Sequence, residues 1–71
     1  MKKKLLINGM SCSHCVRHVE EALTELDGVI SAKASLEGKN AVVELDKEIS
    51  YDIFKEAIEE AGYELVGVQD M

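Results

Sequence analysis

The chain has 71 residues, enough for one small core and one domain spanning residues 1–71. Fourteen acidic against eight basic residues give a formal charge of −6, which argues against nucleic acid as a partner, since phosphates demand a basic footprint. Two cysteines are too few for the disulfide framework of a secreted mini-protein, and no stretch approaches the ~20 apolar residues of a membrane-spanning helix.

The N-terminus, Met1-Lys2-Lys3-Lys4, is similar to the basic start of a signal peptide. Only Leu5-Leu6-Ile7 follows before Asn8, short of the roughly seven apolar residues a signal core needs. The expected location is therefore cytoplasmic, without membrane insertion. The lysines read as solubilising a chain end or an edge strand. Residues 3–8 are predicted to form a strand, with Leu5 and Ile7 on one face and Leu6 on the other.

Gly9-Met10-Ser11-Cys12-Ser13-His14-Cys15 comes next and holds both thiols, two residues apart. A helix is predicted behind it, from about Ser13 or His14 to Leu26. Val16, Val19, Leu23 and Leu26 form its apolar face, and Glu20, Glu21 and Glu25 fall on the other. Gly28 suits a left-handed cap at its end. Val29 to Leu36 alternates, with Ile30, Ala32, Ala34 and Leu36 predicted to face inward. Glu37-Gly38-Lys39-Asn40 is a hairpin turn, and Ala41 to Asp46 is the third strand, with Ala41, Val43 and Leu45 inside. Ser50 reads as the N-cap of a second helix carrying Ile53, Phe54, Ala57, Ile58 and Ala61, stopped by Gly62. Tyr63 to Val68 is the last strand. The order βαββαβ predicts an α+β, ferredoxin-like sandwich: a four-stranded antiparallel sheet with two helices on one face and water on the other.

The thiols thus sit at a strand-to-helix junction. A helix N-terminus carries partial positive charge and unpaired N–H groups, which favour thiolate, the form that binds metal or attacks a disulfide. Three mechanisms use C-x-x-C. The leading one is a two-sulfur clamp for a soft ion, Cu(I) above all. A zinc site normally takes four ligands, and only His14 and His18 are at hand to supplement the thiols. A thioredoxin-like dithiol usually needs a longer chain and a proline beside the active site, and this chain has no proline. Haem attachment needs histidine directly after the second cysteine, where Val16 stands.

The run Gly9 to Cys15, followed by Val16, Val19, Glu20 and Leu23, resembles the heavy-metal-associated domain. Ala57-Ile58 and Ala61-Gly62-Tyr63 resemble that family's second helix and its end. Ser11, His14 and Tyr63 are most similar to those of its small bacterial copper chaperones. Ser11 replaces the threonine often seen there but keeps a small hydroxyl; relatives that prefer zinc or cadmium often carry an acidic residue at that position. The resemblance implies a ferredoxin-like fold, Cu(I) held by Cys12 and Cys15, and delivery to the metal-binding domain of a copper-transporting P-type ATPase. A non-enzymatic chaperone is the reading adopted. The alternatives are a metal-binding domain of such an ATPase, a relative serving Zn(II), Cd(II) or Hg(II), and a small thiol oxidoreductase. The apo protein is expected to be a monomer, with a copper-bridged homodimer open as a loaded state.

Four further residues are candidates around the thiols. Met10 carries a thioether but reads as an apolar plug under the loop. Ser11 stands directly before Cys12. His14 lies between the thiols and is expected to tune their charge from an exposed position rather than to bind metal. Tyr63 has two readings, a hydroxyl near a thiolate or a half-buried packing ring. His18, one turn beyond His14, reads as a solvated helix position. Cys12, ahead of the helix, is expected to be the more exposed thiol and Cys15 the more anchored.

Overall fold

The computed structural model describes residues 1–71. Its elements run β1 (Lys2–Asn8), α1 (Ser13–Thr24), β2 (Val29–Ser35), β3 (Asn40–Leu45), α2 (Tyr51–Glu60) and β4 (Glu64–Asp70). The strands form one antiparallel sheet in the order β2-β3-β1-β4, the ferredoxin-like arrangement predicted above.

Alternation decides what the sheet buries. Leu5 and Ile7 of β1, Ala41, Val43 and Leu45 of β3, and Leu65 of β4 point to one face and are buried. Val19 and Leu23 of α1, with Phe54, Ala57 and Ile58 of α2, close over that face at helical spacing. Lys4, Leu6 and Val42 lie half-buried on the other side of the sheet, which no helix covers.

Several local expectations are corrected. Ile30 is 58% exposed and Leu36 38% exposed, not inward-facing. The β2–β3 register shifts between Val29 and Ser31, so Ile30 is a bulge residue and Val29 takes the inward position beside Ala32 and Ala34. Leu36 already belongs to the turn, where Ser35 Oγ accepts the Gly38 N–H at 3.1 Å and Asn40 Nδ2 donates to the Gly38 carbonyl at 2.9 Å. The lysine-rich start is not an edge: β1 lies between β3 and β4, and Lys3 bridges Glu48 at 3.0 Å and Asp70 at 3.3 Å.

The helix ends also differ from expectation. α1 stops at Thr24 rather than Leu26: after the Glu25 N–H···Glu21 carbonyl bond the chain tightens to a Leu26 N–H···Leu23 carbonyl bond of 3.1 Å. Gly28 follows at φ +101°, as its predicted cap role requires. Ser50 occupies the N-cap of α2, but its side chain makes no capping bond. Ile53 is exposed on α2 instead of joining the core. Glu20 is not on a solvated face: its carboxylate accepts the Ala34 N–H of β2 at 2.8 Å.

Candidate metal centre

β1 delivers the chain to Gly9, which sits at φ +103°, a conformation L side chains rarely adopt. The reversal drives Met10 inward, only 7% exposed and packed in the main core, so its sulfur is part of the packing. With Met10 anchored below, Ser11 to His14 stay at the surface. Cys12 is the N-cap of α1, in extended conformation, and Cys15 is in the first turn. The Cys12 carbonyl accepts the N–H of Cys15 at 3.0 Å, which folds the loop so that both thiols meet. Their sulfurs are 3.4 Å apart, a contact between free thiols. Cys12 is exposed and Cys15 half-buried.

The surroundings favour charge on Cys15. The Ser11 backbone amide, the Tyr63 hydroxyl and the Cys12 thiol all hydrogen-bond to its sulfur, in that order of effect, and hold it down at about 6. Burial opposes them and loses. The same hydrogen bond fixes the other partner: Tyr63 is pushed up to about 12, first because its hydroxyl donates to Cys15, then by desolvation, then by the negative charge of the thiolates. At neutral pH the pair is therefore a Cys15 thiolate with a neutral tyrosine donating to it.

Tyr63 is half-buried, and its hydroxyl is among the groups that lower Cys15. It arrives by the turn after α2, and its ring packs on the Gly9 backbone: a Cβ on Gly9 would stand 3.5 Å from Tyr63 Cδ1. His14 and Ser11 are exposed, and Ser11 acts through its backbone amide rather than its hydroxyl. His18 is exposed, as expected of a solvated helix position, and its ring also meets that of Tyr63 edge-on, with centroids 6.5 Å apart and planes at 81°. The signal was available, because His18 is three residues after Cys15 and so on the same side of α1. No group of three or more histidine, cysteine or carboxylate side chains gathers anywhere in the structure to hold a metal ion, so the thiol pair stands without a third such group.

Beside this site runs an open groove between α1 and α2, about 580 Å³, floored by Ala22, Ile53 and Ala57 and rimmed by glutamates 21, 25, 56 and 60. His18 stands in its wall. No helix of the protein is long and apolar enough to cross a membrane.

Known proteins resemble this chain in sequence and in fold. The copper chaperone CopZ of Staphylococcus saprophyticus is 48% identical over 60 residues, covering 83% of this chain and 88% of its own. The COP-associated protein of Helicobacter pylori is 39% identical over 66 residues, covering 93% of this chain and all of its own, 100%. Among solved structures, a CopZ metallochaperone superposes with a TM-score of 0.85 at 40% identity, over 93% of this chain and 100% of the other. A copper-binding domain from HMA7, a P-type ATPase, superposes with a TM-score of 0.82 at 33% identity, over 96% of this chain and 97% of the other. The profile of the heavy-metal-associated domain matches residues 4–64, from the first strand through the metal loop to the start of the last strand. By sequence and by fold, the chain belongs to the heavy-metal-associated domain family.

Proposed function

We propose that this protein is a cytoplasmic copper chaperone and not an enzyme. It binds Cu(I) between Cys12 and Cys15 and hands it to the metal-binding domain of a copper-transporting P-type ATPase. The observation that carries this reading is the pair of sulfurs 3.4 Å apart at the start of α1, with Cys15 favoured as thiolate. Two thiolates without further ligands suit a soft monovalent ion, whereas zinc normally takes four. Relatives named as copper chaperones support the choice of copper.

The exposure of the two thiols supports a route for transfer. Cys15 is anchored in the first turn and bonded by Tyr63, while Cys12 stands in solvent. An incoming thiolate meets the ion from the Cys12 side. It adds as a third sulfur before Cys12 leaves, so the cargo is never released to water. Likeness to a P-type ATPase domain supports an acceptor of the same fold. The acidic groove beside the thiols complements an acceptor with a basic face.

Anaerobic titration with Cu(I) against a competing chelator tests the binding step. One ion per protein is expected, with affinity collapsing in both Cys12→Ser and Cys15→Ser. Full-strength binding by either variant overturns the two-sulfur clamp. Gel filtration of the loaded protein separates a monomeric site from a copper-bridged homodimer. Stopped-flow transfer to an acceptor domain tests the route: at matched loading, Cys12→Ser is expected to slow transfer more than Cys15→Ser.

A further inference from the structure

Nothing in a cysteine pair requires the histidine one turn further along. Its ring nevertheless stands edge-on to the tyrosine that bonds Cys15. Tyr63 is thus touched on two sides. The Gly9 backbone packs against the ring from the metal loop, close enough that an added Cβ would lie 3.5 Å from Cδ1. His18 meets it from α1 at a centroid distance of 6.5 Å. Beyond His18 lies the interhelical groove, about 580 Å³ and open, lined in part by the small side chains of Ala22, Ala57 and Ala61.

We propose that His18 is a positioning residue for the metal thiolates: its ring braces Tyr63 against Gly9 and so keeps the Tyr63 hydroxyl on Cys15. His18 neither touches the sulfurs nor supplies a ligand. It limits the rotamers of Tyr63, so that the hydrogen bond to Cys15 is made without a further cost in side-chain freedom. An edge-on aromatic pair is a suitable brace because ring quadrupoles favour that geometry at centroid separations of roughly 4.5–7 Å. The inference rests on the Cu(I) reading above only for its functional consequence; the placement of the ring stands without it.

The test is a double-mutant cycle in Cu(I) competition against a chelator, under anaerobic conditions, on the full chain. The four proteins are the wild type, His18→Ala, Tyr63→Phe and the double variant; His18→Phe is added as the conservative rescue. His18 is exposed and alanine is the better helix former, so His18→Ala keeps the fold. In the wild-type background His18→Ala is expected to weaken Cu(I) binding on the order of threefold, the scale of one aromatic pair. Tyr63→Phe weakens it at least as much. In the Tyr63→Phe background His18→Ala adds nothing, and His18→Phe restores wild-type affinity. Equal losses in both backgrounds, no loss in the wild-type background, or no effect of Tyr63→Phe would each overturn the brace. A wild-type protein that fails to bind Cu(I) would sink the copper reading instead. The brace is then decided on the apo protein by NMR. Contacts between the Tyr63 ring and the Gly9 α-protons should vanish in His18→Ala and persist in His18→Phe; their survival in His18→Ala overturns it.

Discussion

Cys15 ionises early because the Ser11 amide, the Tyr63 hydroxyl and the Cys12 thiol each donate toward its sulfur. In the unfolded chain those donors are gone, and the thiol returns to ~8.5. Folding therefore favours the thiolate. This contribution to stability is fully present above ~8.5, shrinks as pH falls, and is gone below about 6. The urea midpoint of the apo protein should climb from pH 6 to pH 8.5, and the climb should flatten in Cys15→Ser; an equal climb in both would assign it elsewhere. Tyr63→Phe should move the Cys15 titration upward from about 6, read as thiolate absorbance at 240 nm. Met10→Leu should leave Cu(I) affinity nearly unchanged, because it preserves the volume of a core residue and removes only its sulfur. The two thiols and the buried Met10 were readable at this scale from the motif and its position before an amphipathic helix. The Ser11 amide was not, since a backbone donor leaves no trace in residue identity, and spacing alone does not join Tyr63 to Cys15, 48 residues away in the chain.

At the scale of elements, periodicity carries far and fails where the backbone slips. Strand alternation predicted Leu5, Ile7, Ala41, Val43 and Leu45 as core, and the helical stripes predicted Val19, Leu23, Phe54 and Ile58. Ile30 fails because one bulge inverts the alternation, and a bulge of this kind has no glycine or proline to announce it. A similar shift on β4 leaves Val66 unpaired between Leu65 and Gly67 and 61% exposed. The packing between helices and sheet leans on one large side chain. Phe54 is 1% exposed and is the largest fully buried residue in a core otherwise built of aliphatics and Met10. Phe54→Ala should cost about 3–5 kcal/mol. A domain of 71 residues at ~0.05–0.15 kcal/mol per residue has only roughly 4–11 kcal/mol in all. Thermal unfolding followed by circular dichroism should show that variant at the margin of folding, while Ile53→Ala, on the exposed side of α2, should change little.

For the whole molecule, the fold sorts a net charge of −6 into a useful place. Four glutamates rim the interhelical groove, whose wall reaches His18 and, through it, the site. Transfer to a basic acceptor should slow as salt rises, since exposed charges are screened beyond ~8 Å at physiological ionic strength. Glu21→Gln with Glu56→Gln should lower the second-order rate and its salt dependence without altering Cu(I) affinity; an unchanged rate would place docking elsewhere. The composition announced the acidity, but only the crossing of α1 and α2 collects it along one groove. A sheet of four strands also has two open borders, and here they are defended differently. On β2, Glu20 already occupies the outward N–H of Ala34. On β4, the slip at Val66 interrupts the straight run of donors and acceptors. A foreign extended chain, such as a half-folded neighbour in a crowded cell, must evict a carboxylate at the first border and bend around a kink at the second. Both borders thereby resist permanent strand-to-strand joining with another chain.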